Sequence, residues 1–391
     1  MQVKLTHDTL TTAAVEGSIT AANAHELEQA LKDEPNGTDG IVIDAKELEF
    51  ISSAGLRVLL ALKKRCADKT FRIINANDEV MSVFDVTGFS EIMDISKAKR
   101  NVSVQNCVRI GAGACGEVFR LDDETIIKLY YPRVSGEEIE REKALAKKAF
   151  VMGVPTAISY DIVESDGRTG VVYELINSKT ISELIREDPD NIEKYARMYA
   201  DVCRSIQSIK AKPGELPDFK DLNRADIPNI TGLDEEETSY LYELLDMAPD
   251  RLTCIHGDLN INNIMVQNGE CCLIDMGEFS TGTPMFDLSR IVFSVVYAAD
   301  KTTETNEFYK LPHTVVERVF ELFIKNYFGT DSLEQAADQN PDVEWLYPLA
   351  WFRCCTSFLK GSRWPESKRE LAKQLLHEKL IPFVKAHRTD K

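Results

Sequence analysis

Residues 252–279 read LTCIHGDLNINNIMVQNGECCLIDMGEF, and the reading of the whole chain turns on them. Three short apolar runs, 252–255, 264–266 and 271–274, have the length and composition of buried strands. His256, Asp258, Asn263 and Asp275 sit against the ends of those runs. An aspartate followed five positions later by an asparagine, then by a second aspartate after a short hairpin, is what phosphoryl transfer needs. The first carboxylate orients a hydroxyl nucleophile. The amide and the second carboxylate supply hard oxygen ligands to Mg²⁺ on nucleotide phosphates.

Working upstream, Val108–Phe119 contains Gly111-x-Gly113-x-x-Gly116. A dinucleotide fold would begin a helix directly after the third glycine, whereas Glu117–Leu121 alternates as a strand and Asp122-Asp123 makes a turn. The motif is therefore a glycine-rich hairpin whose backbone N–H groups can close over phosphates. In the next strand, Thr125–Tyr130, Lys128 is a lone cation among apolar neighbours and needs an anion, since a buried unpaired charge is costly. The phosphates of a nucleotide are one such anion, with a glutamate to brace the amine. Glu137, Glu138, Glu140 and Glu142 all lie ahead of a helix predicted over 143–152, and the pattern alone does not choose among them.

HGDLNINN followed by LIDMGE resembles the catalytic and metal-binding loops of the aminoglycoside phosphotransferase and choline kinase group, relatives of protein kinases with the same two-lobed fold. The resemblance implies ATP and Mg²⁺ as cofactors, Asp258 as the catalytic residue, and Asn263 and Asp275 as metal ligands. Gly111, Gly113, Gly116 and Lys128 would hold the ATP phosphates, with Glu142 the favoured brace by its distance from Gly153-Val-Pro155 and Glu138 the second choice. Backbone around Glu174 to Ile176 would meet the adenine edge. His256 and Asp287 would brace the loops, Asp287 lying in a TGTPMFDL stretch similar to the family's G-D-P-x-x-D-L. Related enzymes often carry a histidine near the end of the preceding helix, and Ser205–Ile209 has none.

The acceptor implied is a small hydroxylated molecule of aminoglycoside, amino alcohol or sugar type. A serine/threonine protein kinase is the alternative, and a kinase-like scaffold without turnover is a third reading. Protein kinases usually place arginine before the catalytic aspartate and lysine two after it, where this chain has Gly257 and Asn260. Only residues 276–286 separate Asp275 from Asp287, too few for an extended activation segment. Both observations favour the small acceptor.

Residues 1–100 alternate strands with helices. Strands are predicted over 2–6, 10–15, 40–44 and 71–74, and helices over 21–32, from Ser52-Ser53 onward, and over 78–86. Asp44, FISSAGLRVLL, the 75–80 turn and VTGF at 86–89 resemble a STAS domain, the fold of anti-sigma-factor antagonists. That family is phosphorylated on a serine at a helix start, which makes Ser53 a candidate phosphosite, with a plain helix cap as the competing reading. A protein partner acting through this domain is implied. The chain thus reads as α/β and α+β: a STAS-like domain at 1–100, a kinase-like N-lobe with an antiparallel sheet at 101–178, and a mostly helical C-lobe at 179–391. In the C-lobe, Trp345, Tyr347, Trp351, Phe352, Phe358 and Trp364 form an aromatic cluster, mostly core.

A formal net charge of −18 over 391 residues argues against nucleic acid and anionic membranes as partners and fits a cationic acceptor. The nine cysteines contain no C-x-x-C spacing and read as reduced thiols. With no apolar run near membrane-spanning length and no signal-peptide pattern at MQVKLTHDTL, a cytoplasmic protein is expected.

Overall fold

A computed structural model gives the structure of residues 1–330, 332–361 and 364–388. Two compact units emerge, Met1–Ser103 with Ile162–Gly167, and Val104–Asp161 with Arg168–Lys391. The sequence reading keeps 162–167 inside the stretch 101–178. Val163 and Glu164 instead pair in parallel with Arg100 and Asn101, so backbone hydrogen bonding ties the segment to the end of the first unit.

In the first unit, strands Gln2–His7, Thr11–Ile19, Gly40–Ile51, Thr70–Ala76 and Asp94–Lys97 lie side by side in that order. The first pair is antiparallel and the others are parallel. Parallel neighbours need crossover connections, which helices Ala24–Ala30, Ser53–Cys66 and Asp78–Val86 provide. Inward residues of the strands, among them Ala13, Val15, Ile41, Ile43 and Ile73, bury against Leu27, Leu59, Leu62 and Phe84.

The first helix is shorter than the predicted 21–32, because Asn23 is spent on the turn before it. Its Oδ1 accepts from Thr20 N–H at 2.8 Å and its Nδ2 donates to Ser18 C=O at 3.0 Å. Ser52, and not Ser53, caps the second helix, accepting from Gly55 N–H at 3.3 Å. Ser53 is the first helical residue and is exposed. Two residues on, a Cβ at Gly55 would stand 2.6 Å from Ile19 Cγ2, so the missing side chain lets the helix rest on the sheet. Asp44 accepts from Asn75 Nδ2 at 2.9 Å, and Asn77 caps the third helix through Val80 N–H at 2.9 Å.

In the second unit, Arg168–Glu174, Thr125–Tyr130, Gly116–Arg120 and Val108–Ala112 pair antiparallel in that order. The helix predicted from Lys143 begins at Gly136 and runs to Val151. Ser135 and Glu138 form a capping box, with Ser135 N–H to Glu138 Oε2 at 2.8 Å and Glu138 N–H to Ser135 Oγ at 3.2 Å. That start puts Glu142 inside the helix. Beyond residue 180 the unit is mainly helical, around a large apolar core that includes Tyr199, Leu244, Phe286, Phe323, Phe352 and Phe358. Hairpin Ile264–Gln267/Glu270–Leu273 and the short pair Cys254–Ile255/Ser280–Thr281 lie within it. No helix among the described residues is long and apolar enough to cross a membrane, and none of the nine cysteines is in a disulfide.

Candidate active site

Strand Cys254–Ile255 delivers His256 into the interior, where it is fully buried. One neutral tautomer satisfies both ring nitrogens: Nε2–H donates to Ile274 C=O at 3.0 Å, and Nδ1 accepts from Asp258 N–H at 3.3 Å. Ile274 N–H in turn donates to Asn263 C=O at 3.0 Å. These bonds lace the Asp258 loop to the strand end that carries Asp275. Asp287, also fully buried, clamps the loop from below: Oδ1 accepts from Gly257 N–H at 2.8 Å and Oδ2 from His256 N–H at 3.2 Å. Burial pushes the Asp287 carboxyl up, and hydrogen bonds from the Gly257 and His256 backbone and from Gln207 only partly offset it.

Gln207 completes this clamp from the segment that lacks a histidine, donating to Asp287 Oδ2 at 3.1 Å and accepting from Tyr327 O–H at 2.6 Å. Asn260 is a second brace, with Nδ2 on Asp258 C=O at 3.0 Å and Oδ1 on Asn262 N–H at 3.0 Å.

Gly257 has φ +85°, and a Cβ there would stand 2.5 Å from Glu278 Cβ. Gly257→Ala is therefore expected to cost about 2 kcal/mol or more in stability, from left-handed strain plus the clash. Thermal melting reads this directly, and an unchanged melting temperature would mean that the loop gives way.

Asp258 is reached from three sides. Arg290 Nε donates to Oδ1, Arg353 Nη2 stands 4.0 Å from the same oxygen, and Asn263 Nδ2 approaches Oδ2 at 3.3 Å. Burial raises the carboxyl pKa, but Arg290 first and Arg353 second outweigh it, so the net shift is downward and Asp258 is an ionised carboxylate. Asn263 Nδ2 also donates to Asp258 C=O at 2.9 Å. With its nitrogen so used, the amide leaves Oδ1 without a protein donor among the described residues.

Lys128 Nζ lies 2.6 Å from Glu142 Oε1 and 3.0 Å from Asp275 Oδ1. Burial lowers the ammonium pKa, and the two carboxylates more than reverse this, so the net shift is upward. Glu142 alone of the four glutamates meets Lys128, because Glu138 is held in the capping box and Glu137 and Glu140 are exposed. Gly277 makes room for it, since a Cβ there would meet Glu142 Cγ at 3.3 Å.

Asp275 takes a left-handed backbone (φ +63°), uncommon for a residue with a side chain, and its carboxylate is half exposed. The oxygens left over, Asn263 Oδ1 and Asp275 Oδ2, suit Mg²⁺, which takes few protein ligands and fills its shell with water and phosphate oxygens. Among the described residues no cluster of three or more His, Cys, Asp or Glu forms a closed cage for a metal.

The three glycines differ in what they do. At Gly116 a Cβ would stand 2.5 Å from Leu129 C=O, so the hairpin itself requires glycine. At Gly113 nothing lies within 4 Å of that position, and at Gly111 only the Val118 side chain comes within ordinary contact. These two are open toward a ligand. Near the expected adenine edge, Glu174 N–H and Leu175 N–H are taken by Ile158 C=O at 2.9 Å and Glu124 C=O at 2.7 Å. The Glu174 carboxylate is taken by Ile158 N–H at 3.2 Å. Ile176 N–H has no hydrogen-bond partner among the described residues.

Three residues absent from the sequence reading join the site, namely Arg290, Arg353 and Glu278. Arg290 follows Asp287 by one helical turn in Met285–Val292, and Glu278 follows Asp275 at the same interval. All three border a cavity of about 920 Å³ that also reaches Ala114 of the glycine hairpin and Trp364. Of the aromatic cluster, Trp345, Phe352 and Phe358 are core, while Trp364 faces this cavity.

A family model described as "Phosphotransferase enzyme family" matches residues 106–310, and one described as "Mlab, STAS domain" matches residues 6–95. Among curated proteins, the putative anti-sigma factor antagonist BtrV of Bordetella bronchiseptica is 31% identical over 95 residues, which cover 24% of this chain and 82% of that protein. Among solved structures, ADP-bound aminoglycoside phosphotransferase APH(2'')-Ib aligns at 15% identity and TM-score 0.46, covering 71% of this chain and 94% of that one. A choline/ethanolamine kinase family protein from Mesorhizobium loti aligns at 13% identity and TM-score 0.43, covering 71% of this chain and 91% of that one.

Proposed function

We propose that this chain, which belongs to the phosphotransferase enzyme family through residues 106–310 and carries an N-terminal STAS domain, moves the γ-phosphoryl group of ATP onto a hydroxyl of a small molecule. The observation that carries the reading is two polar groups tied together: Lys128 with Glu142 and Asp275, and Asp258 with Arg290 and Asn263, linked through Ile274 and His256. Lys128, already oriented by two carboxylates, neutralises the α- and β-phosphates. Asn263 Oδ1 and Asp275 would hold Mg²⁺, which supplies charge neutralisation at the phosphates when bound. Asp258 orients the acceptor hydroxyl and takes its proton as the new O–P bond forms and the bond from γ-phosphorus to the β–γ bridging oxygen breaks. Ile176 N–H, without a hydrogen-bond partner among the described residues, would meet the adenine edge. Nine unpaired cysteines suit a reducing, cytoplasmic setting.

The test is ADP release by the full chain with Mg·ATP against sugars, amino sugars, amino alcohols and nucleosides. Acceptor-dependent release is expected, and ATP binding with no transfer to any acceptor would favour a scaffold. A second reading is favoured by one observation, the exposed Ser53 at N1 of its helix, where phosphate is electrostatically welcome. Intact mass after incubation with Mg·ATP reads it in the same experiment. A chain that gains a phosphoryl group on Ser53, with no small acceptor turned over, would move the STAS domain from partner-binding module to substrate.

A further inference from the structure

We infer that the acceptor carries an anionic group, a carboxylate or a phosphate, which docks on Arg353 beside Asp258. That the anion belongs to an acceptor rests on the phosphotransfer reading above; the anion site itself rests on Arg353 and its surroundings. Arg353 lies on helix Leu346–Phe358, whose residues Leu349, Ala350, Phe352, Cys354 and Cys355 are all buried. Its side chain is only 16% exposed. A guanidinium presents five N–H donors in a fixed fork. Here the nearest anionic oxygens are Glu278 Oε2 at 3.6 Å and Asp258 Oδ1 at 4.0 Å, and among the described residues the fork makes no hydrogen bond. A charge held this deep without hydrogen bonds is costly unless something else pairs with it.

Of the other cations of the cavity, Arg141 is exposed, and the remaining two are already used. Arg290 is bonded to Asp258 and Ser294 and lies over the Phe293 ring at 5.4 Å, and Lys360 pairs with Asp226 at 2.7 Å. Among the described residues, Arg353 is the buried cation of the cavity with its donors unspent. Glu278, half exposed, pairs with it at 3.6 Å but stops beyond hydrogen-bond distance, so the fork's donors stay open. A carboxylate or phosphate oxygen pair matches the fork in both spacing and charge.

The chain's net charge of −18 does not decide the matter. Screening reduces exposed charges beyond about 8 Å at physiological salt, so the groups inside the cavity set its preference. The acceptor's hydroxyl reacts as described above, and its anionic group remains on Arg353 unchanged.

The experiment measures binding of four matched three-carbon probes to the full chain with ADP and Mg²⁺: glycerate, glycerol 3-phosphate, glycerol and serinol. At least one anionic probe is expected to bind about 10-fold or more tightly than glycerol and serinol, consistent with a charge-assisted fork. Which of the two anions binds tighter separates carboxylate from phosphate. Arg353→Gln should abolish the preference and Arg353→Lys should keep part of it, with melting temperature and ADP affinity reporting that both variants are folded. Serinol or glycerol binding as well as the anions, no anion binding at all, or an intact preference in Arg353→Gln would overturn the inference. So would an Arg353→Gln chain that loses ATP affinity with anion preference unchanged, since the fork would then serve the γ-phosphate. ADP release run beside the binding separates the two claims: anion binding without phosphoryl consumption by any probe leaves the site standing and sinks the phosphotransfer reading.

Discussion

Asp258→Asn is expected to lower turnover about 10²-fold or more while Mg·ATP affinity stays within about a factor of two. The asymmetry follows from the site. Arg290 and Arg353 keep the Asp258 carboxylate ionised, so it enters the reaction able to orient a hydroxyl and accept its proton. An amide of the same shape can still accept from Arg290, which preserves the loop, but it is no longer a proton acceptor. The Lys128–Glu142–Asp275 group does not touch Asp258 and should hold phosphates as before. Single-turnover kinetics beside nucleotide titration separate the two effects. A variant with wild-type turnover would remove Asp258 from the chemistry, and one that loses ATP affinity in proportion would make it part of the phosphate clamp. Arg290 left without a full countercharge should also lower the melting temperature somewhat, so the comparison belongs well below the transition.

What could be read from the chain beforehand was local pattern. Gly111, Gly113 and Gly116, Lys128 among apolar neighbours, and the HGDLNINN and LIDMGE runs each carry their meaning within a few residues. The order of strands and helices up to residue 86 was legible for the same reason, from local apolar spacing, but the short helix Phe89–Ile92 and the strand Asp94–Lys97 were not. Element ends were less so. Ser135-x-x-Glu138 is itself a capping-box signature, but apolar spacing predicts the helix only from Lys143, seven residues late, because the Glu-rich turn lacks an apolar stripe. At Ser52 and Ser53 two adjacent candidates compete for one cap, and only the backbone geometry shows Ser52 taking it.

Arg290 and Arg353 escaped notice because their partner Asp258 is far away in sequence, and no spacing rule links them. A signal was present nonetheless. Arg353 is the one charged residue of helix Leu346–Phe358, and like Lys128 it calls for an anion. Gln207 illustrates the opposite case: the missing histidine was visible, but its replacement by another donor to Asp287 required the fold.

Asp275→Asn is expected to weaken nucleotide binding about 10- to 100-fold in the presence of Mg²⁺, the effect of losing one charged contact of about 1.5–3 kcal/mol. The condition matters more than the size. Asp275 has one oxygen paired with Lys128 at 3.0 Å, and in the proposed function the other would face the cation. Removing its charge takes a ligand from Mg²⁺, yet it also frees Lys128 from one of two competing carboxylates while Glu142 still orients it at 2.6 Å. Metal-free nucleotide should therefore bind the variant as well as, or better than, the wild type. The loss should appear only when Mg²⁺ is added, so titrations of both proteins with and without the metal make a four-cornered test. Equal losses in both conditions would mean that Asp275 acts through Lys128 or through the left-handed turn it occupies. No loss in either would place the metal elsewhere, and Asn263 with a phosphate-bound ion would have to account for the hydroxyl chemistry at Asp258 without its second carboxylate.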